Sequence, residues 1–123
     1  MPRVRQWPAA DPEVGVAKYL RGLADPVRLS VLRLLAAQGE LSQSQILERV
    51  LIPQGRLSEH LACLRWCHYV EARREGKRVI YRIADPRVLQ ILALAEGLMA
   101  DYGDQVQACE RIDGLAVKGG GEG

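Results

Sequence analysis

The segment from residue 53 to 82 constrains the fold of this chain more than any other part of it. It begins with Pro53, whose missing N–H costs nothing in the first turn of a helix. An apolar stripe follows at positions i, i+4 and i+7, formed by Leu57, Leu61 and Leu64. This spacing predicts an amphipathic helix with one face in the core and polar side chains on the opposite face.

Two short β-rich runs come directly after this helix. They extend from Val70 to Arg74 and from Arg78 to Arg82, and they flank the turn Glu75-Gly76-Lys77. The glycine permits the positive φ that tight hairpin turns need. A polar-faced helix followed by a basic hairpin is the outline of a winged helix.

The residues before this segment contain helix start and stop signals. Asp11-Pro12 and Asp25-Pro26 each provide an N-cap followed by a proline suited to the first helical position. The first helix is predicted from about Pro12 to Ala24. The second is apolar nearly all round, which predicts a buried central helix, and Gly39 should end it.

A short third helix is predicted after Ser42, and a last long helix after Asp85-Pro86, with Gly103 as its end. The predicted order is therefore α-α-α-α-β-β-α. It is a mainly α fold with a small β-hairpin, a winged helix-turn-helix. The last helix is apolar on more than one face, which predicts a second contact, most economically with its own copy in a homodimer.

We predict three segments: a flexible N-terminal arm at 1–10, the winged helix-turn-helix and dimerisation domain at 11–103, and a flexible C-terminal tail at 104–123 that contains a metal ligand. The length of 123 residues suits one domain, and 48% apolar with 26% charged residues is typical of a soluble protein. With no apolar run that could span a bilayer and no signal-peptide segment, the expected location is cytoplasmic.

Charge is unevenly distributed along the chain. Residues 53–82 contain seven Lys and Arg against three Asp and Glu, whereas residues 83–123 contain three against seven. The basic part is expected to face a polyanion. An enzyme is not expected, because the chain has two histidines, no phosphate-binding glycine loop and no nucleophile motif.

Candidate contacts to double-stranded DNA lie on the amphipathic helix and in the hairpin. Hydrogen-bonding side chains on the exposed helix face are of the kind that read base edges in the major groove. Basic hairpin residues suit phosphate or minor-groove contacts, although solvated charge is the alternative interpretation. The predicted DNA-binding residues are Gln54, Arg56, Ser58, Glu59, Arg73, Arg74, Lys77 and Arg78.

Three cysteines form the candidate metal site. Cys63 and Cys67 are four residues apart on the amphipathic helix, so their thiols lie on one face, and Cys109 is the only other thiol. Three thiolates favour soft ions such as Cd(II), Pb(II), Hg(II) or As(III), whereas Zn(II) prefers a fourth ligand. His60 could supply one, although a core-facing histidine is more often structural. The alternative is that the cysteines are small buried hydrophobes.

Several segments together resemble a known family. ADPVRLSVLRLL in the second helix, SEHLACLR in the amphipathic helix and REGKRVIYRIAD in the hairpin are similar to the ArsR/SmtB family of bacterial metal-responsive repressors. The cysteine pattern resembles that of the cadmium- and lead-sensing type, with an LxCLRxC segment and a third cysteine in the tail. The arsenic-type cysteine pair and the zinc-type residues of the last helix are missing.

The resemblance implies a repressor whose metal-free form binds a two-fold operator and which leaves the operator when the ion binds. Cys109 is expected to reach the pair, and the resemblance implies that it does so from the other subunit. A thiol-redox repressor that uses Cys63 and Cys67, or a constitutive DNA-binding protein, would share the same fold.

His68-Tyr69 replaces the family's usual glycine after the recognition helix. Trp66 is expected to pack in the core or an interface.

Overall fold

The computed structural model describes residues 11–110, and this part of the chain contains five helices and three strands. Two compact units are distinguished, Met1–Pro86 and Arg87–Gly123, and each is described by itself. The elements in chain order are α1 (Pro12–Leu23), α2 (Pro26–Gln38), β1 (Glu40–Ser42), α3 (Gln43–Val50), α4 (Gln54–Trp66), β2 (Val70–Glu75), β3 (Arg78–Ile83) and α5 (Pro86–Gln107).

The predicted helix starts in the first unit are confirmed. Asp11 caps α1, and the Asp25 carboxylate accepts hydrogen bonds from the backbone N–H of Val27 at 2.8 Å and of Arg28 at 3.1 Å. Each cap satisfies backbone donors that have no partner within the helix. Gly39 ends α2 with a φ of 86°, as a C-terminal glycine is expected to do.

The third helix begins with a complete capping box. The Ser42 hydroxyl accepts from the Gln45 N–H at 3.1 Å, and the Gln45 side chain accepts from the Ser42 N–H at 2.8 Å. Pro53 is the N-cap of α4, so it precedes the first turn in which it was predicted. This short separation of α3 and α4 gives the helix-turn-helix arrangement.

The core of the first unit is built around α2. As predicted for a central helix, Val31 and Leu32 are fully buried and Leu35 nearly so. Its partners are the apolar sides of the neighbouring elements, with these buried residues: Leu23, Leu41, Ile46, Leu57, Leu61, Leu64, Tyr69, Val70, Ile80 and Tyr81. The helical spacing that predicted the stripe on α4 is thereby confirmed.

The sheet has three antiparallel strands in the order β1-β3-β2, one more than predicted. In β1, Leu41 lies opposite Tyr81 of β3. A three-residue run is too short to show strand periodicity, and it becomes a strand only by pairing with β3. The hairpin strands each extend one residue beyond the prediction, and Gly76 in the turn has a φ of 62°.

The C-terminal end of α4 shows how the chain accommodates His68-Tyr69 in place of the usual glycine. His68 adopts the left-handed conformation with a φ of 64°. The N–H of Tyr69 donates to the Leu64 carbonyl at 2.9 Å and that of His68 to the Arg65 carbonyl at 3.1 Å, which together form a Schellman motif. A histidine therefore occupies the position where glycine is usual, at a conformational cost of about 1–2 kcal/mol.

The second unit consists, in its described part, of α5 and the residues after it. The prediction that Gly103 ends this helix was wrong, because α5 continues to Gln107. Gly103 does not adopt a positive φ, and the helix continues past it. The predicted arm at 1–10 and residues 111–123 of the predicted tail lie outside the described residues. Within the described ones, no helix has the length and apolarity needed to cross a membrane.

Candidate functional site

The exposed face of α4 presents the side chains predicted to read DNA. Gln54, Arg56, Ser58 and Glu59 are all exposed, while Leu57 on the opposite side has no exposed surface. The four polar residues occupy the first half of the helix, because the helix begins at Gln54. A polar face at this end is the arrangement by which recognition helices contact base edges.

A short hydrogen-bonded chain connects α4 to the third helix and to the hairpin. The Gln43 amide nitrogen donates to the Ser58 hydroxyl at 3.1 Å, and the Tyr81 hydroxyl donates to the Gln43 amide oxygen at 3.4 Å. Gln43 thus positions Ser58 relative to the sheet. Sequence reasoning missed Gln43, since no local pattern distinguishes it from the other glutamines of this segment.

The predicted basic residues of the hairpin fall into two groups, one with ion-pair partners in the sheet and one without them among the described residues. Arg73 donates from Nη1 and Nη2 to the Glu40 carboxylate at 2.7 and 2.9 Å and from Nε to Glu75 at 2.8 Å. The hydrogen bond from Arg73 lowers the pKa of Glu40. Arg73 is therefore committed to contacts within the sheet.

A second arginine of the sheet also has a carboxylate partner. Arg82 donates to Glu71 at 2.9 and 3.0 Å. By contrast, no carboxylate of the described residues forms an ion pair with Arg74, Lys77 or Arg78. The positive charge of the hairpin that remains for a polyanion is therefore concentrated near its turn.

Cys63 lies in the last turn of α4, whereas Cys67, which was predicted on the same helix, is the C-cap residue that follows Trp66. Both of these side chains are half-buried. Burial raises the pKa of the Cys67 thiol, and Cys63 raises it further, whereas the charges of Arg28 and Lys18 oppose these effects. The pair is therefore a partly accessible dithiol.

Cys109 lies two residues beyond the end of α5, in the second unit, and its thiol is also half-buried. Among residues 11–110, no set of three or more His, Cys, Asp and Glu side chains is grouped so that it could hold a metal ion. The described chain therefore brings together two of the three predicted ligands. Two sulfur atoms suit a soft ion but leave its coordination incomplete.

His60 has a structural partner. Its Nδ1 accepts a hydrogen bond from Arg28 Nε at 3.1 Å. The bond engages the ring nitrogen on the side of α2. The arrangement agrees with a positioning role for His60 rather than with the ligand role that was considered for it.

Two further side chains near the end of α4 were poorly anticipated. Trp66 is 85% exposed, which excludes packing in the core and leaves an interface as the remaining part of the prediction. Tyr69 is fully buried, its hydroxyl donates to the Tyr19 carbonyl, and the two rings are 4.7 Å apart between centroids. This contact joins α1 to the segment after α4, and no local pattern predicts a contact between residues so distant in the chain.

Comparison with known proteins establishes the family. Residues 25–72, which contain α2 to the start of β2, match the model of the bacterial regulatory protein arsR family. A probable mercury resistance operon repressor of Streptomyces lividans is 41% identical over 107 residues, covering 87% of this chain and 84% of the relative. The chain belongs to the arsR family.

Two further proteins are similar to this chain, one in sequence and one in fold. The transcriptional regulator CmtR of Mycobacterium bovis is 34% identical over 108 residues, covering 86% of this chain and 91% of CmtR. The solution structure of a homodimeric winged helix-turn-helix DNA-binding domain from Mycobacterium bovis, a possible ArsR-family regulator, has a TM-score of 0.66 and 35% identity. It covers 82% of this chain and 92% of that domain. The predicted winged-helix fold is thereby confirmed.

Proposed function

We propose that this chain is a transcriptional repressor that binds operator DNA as a homodimer and releases it when a soft metal ion binds. The observation that supports this most strongly is the position of Cys63 and Cys67. Cys63 lies in the last turn of α4 and Cys67 is its C-cap residue, at the opposite end of the helix from the exposed polar residues. A ligand held by these sulfurs therefore acts directly on the element that reads DNA.

DNA binding divides between α4 and the hairpin. Gln54 and Arg56 are the proposed base contacts, with Ser58 contacting a base or phosphate and Glu59 discriminating against wrong sequences. Arg74, Lys77 and Arg78, which have no ion-pair partner among residues 11–110, are the proposed phosphate contacts. Arg73 stays in the proposed set, but its pairing with Glu40 and Glu75 assigns it a supporting role in the sheet.

A homodimer is supported by apolar surface in both units. In α1, Val14, Val16 and Leu20 are exposed, and in α5 Leu94 and Leu98 are exposed by 70% and 59%. Apolar side chains at this exposure indicate a partner surface. The related Mycobacterium bovis domain is itself homodimeric. Two recognition helices about 34 Å apart would then contact successive major grooves of a two-fold operator.

The metal site is proposed to consist of Cys63 and Cys67 together with Cys109 of the partner subunit. Ligation requires loss of the thiol protons, and three thiolates around a dication leave one net negative charge. Cd(II) and Pb(II) are the proposed inducers, with Hg(II) and As(III) as further candidates. One relative is named as a probable mercury resistance operon repressor, and this supports a soft metal as the effector.

Electrostatic repulsion alone is too weak an explanation for release, because ion binding with loss of three thiol protons changes the net charge of the site by only one unit. The proposed mechanism is that joining the C-terminal segment to α4 shifts the orientation of this helix. Coupling between effector and DNA sites of this kind is about 1–3 kcal/mol, and it is reciprocal. The protein is proposed to act in the cytoplasm, where thiols stay reduced.

Ultraviolet absorption during Cd(II) titration of the reduced protein tests the site. The wild type should show a thiolate-to-cadmium band that saturates at one ion per site, and the band should weaken strongly in Cys63→Ser and Cys67→Ser. Absence of the band would favour a constitutive DNA-binding protein. Loss of free thiols with peroxide after chelation, together with DNA release, would favour the thiol-redox repressor.

A further inference from the structure

The side chain of Gln43 connects the sheet to α4, and both of its polar atoms form hydrogen bonds. Its Oε1 accepts from the Tyr81 hydroxyl at 3.4 Å, and its Nε2 donates to Ser58 Oγ at 3.1 Å. Tyr81 is buried and Gln43 half-buried, whereas Ser58 is exposed on the helix face predicted to contact DNA. The two bonds therefore run in one direction, from the buried side of the sheet to the exposed surface of α4.

The backbone at Gln43 is anchored on the side of the sheet. Gln43 is the first residue of α3, and the residue before it, Ser42, is buried and pairs with Ile80 of β3. Ser42 also closes the capping box with Gln45. A side chain that starts from an anchored backbone and is bound at its end has little freedom left to lose when DNA binds. The Gln43 amide therefore presents its N–H to Ser58 in a preorganised position.

The Ser58 hydroxyl has one proton to donate and two lone pairs that can accept. Gln43 occupies one lone pair, and within residues 11–110 the hydroxyl donates to no protein acceptor. Hydrogen bonds that run in one direction polarise one another, by about 10–30% per bond, so donation from Gln43 makes the Ser58 proton a stronger donor. An exposed hydroxyl in this state suits an acceptor atom outside the protein.

We propose that Gln43 is a positioning residue that directs the Ser58 hydroxyl outward as a hydrogen-bond donor to operator DNA. This inference rests on the proposed function, which leaves open whether Ser58 contacts a base or a phosphate. The group that Ser58 contacts is then an acceptor, either a phosphate oxygen or an acceptor atom of guanine, adenine or thymine in the major groove. Cytosine, which offers only its amino donor in that groove, does not fit this position.

The test variant is Gln43→Glu in the full chain, which reverses the bond to Ser58. A carboxylate accepts and cannot donate, so the serine proton turns inward to it and is lost to DNA. An acidic side chain in the first turn of α3 is favoured by the helix dipole, and thermal melting verifies that the variant is folded. Ser44→Glu is the control, because it adds the same charge at the next, exposed position of the same helix.

Fluorescence anisotropy measures the affinity of the metal-free protein for a labelled duplex that was selected with the metal-free wild type. Gln43→Glu should bind about tenfold more weakly than Ser44→Glu, and Ser58→Ala about tenfold more weakly than the wild type, the loss of one hydrogen bond. The double variant Gln43→Glu with Ser58→Ala should bind as Gln43→Glu does, because both substitutions remove the same donor. Equal affinities of Gln43→Glu and Ser44→Glu, or losses that add in the double variant, would overturn the role of Gln43.

Substitutions in the duplex distinguish the two kinds of acceptor. For a base acceptor, a change to cytosine at one position of each half-site should weaken the wild type but leave Ser58→Ala unaffected. For a phosphate acceptor, a neutral methylphosphonate at one position should do the same, and no base change should. A Ser58→Ala variant that binds the duplex as tightly as the wild type would overturn the inference. A wild type that selects no duplex sequence would overturn the proposed function itself, and this inference with it.

Discussion

Tyr69 is fully buried against α1, and Gly22 provides the space for it. A Cβ built on Gly22 would lie 2.6 Å from the Tyr69 hydroxyl oxygen and 3.2 Å from the ring carbon that bears it. The ring has little freedom to move, because its hydroxyl is bound to the Tyr19 carbonyl. The absence of a side chain at this position is therefore a requirement of packing.

Gly22→Ala should lower the free energy of unfolding by about 1–3 kcal/mol, the usual cost of overpacking a core. Gly55→Ala is the matched control, since a Cβ at Gly55 meets nothing within 4 Å. Alanine in the open position of a helix should leave stability unchanged or slightly higher. Urea unfolding of both variants measures the difference, and equal stabilities would show that Tyr69 adapts without cost.

Sequence reasoning predicts the exposure of single residues better than it predicts their contacts. The exposure of Gln54, Arg56, Ser58 and Glu59 follows from the period of α4 alone. The contacts of Gln43 with Ser58 and of Arg28 with His60 do not, because they join residues 15 and 32 positions apart. Such contacts depend on how the elements pack, which no local spacing encodes.

At the scale of elements, the hairpin combines two functions on adjacent residues. Successive strand residues point to opposite faces of the sheet, so Arg73 and Arg74 have different neighbours. Arg73 lies on the face that contains Glu71 and Glu75, whereas Arg74 has no carboxylate partner among the described residues. The composition of the hairpin predicted a basic wing. The strand register shows in addition that Arg73 is bound by carboxylates, whereas Arg74 remains available for DNA.

Arg74→Ala should weaken operator binding and reduce the slope of log affinity against log salt by about 1, the loss of one phosphate contact. Arg73→Ala should leave that slope nearly unchanged and lower the thermal stability of the sheet instead. Anisotropy titrations at several salt concentrations measure both. A reduced slope for Arg73→Ala with no change for Arg74→Ala would reverse the assignment.

The ends of elements were predicted less well than the elements themselves. The helix starts followed from Asp-Pro and Ser signals, which act locally. Gly103 failed as a stop signal because a glycine ends a helix only when it adopts a positive φ. The strand β1 was missed because its existence depends on pairing with β3.

For the whole molecule, the proposed dimer requires that the exposed apolar side chains of α1 and α5 meet those of a partner. Leu94→Glu combined with Leu98→Glu should therefore give a monomer in sedimentation velocity. It should also lower operator affinity at least tenfold, because one half-site would be bound in place of two. Leu51→Glu is the control, since Leu51 is 85% exposed but belongs to neither helix. A dimer that survives the double substitution would place the interface elsewhere.

The central claim is that a soft ion on the thiols of α4 lowers the affinity of the whole protein for DNA. The most direct measurement is the anisotropy of a labelled duplex, selected with the metal-free protein, during titration with Cd(II) and in parallel with Pb(II). The wild type should release the duplex near one ion per site, while Cys63→Ser and Cys67→Ser should bind it as tightly as the metal-free wild type and retain it throughout. Release of the duplex by either serine variant at the same stoichiometry would contradict the account.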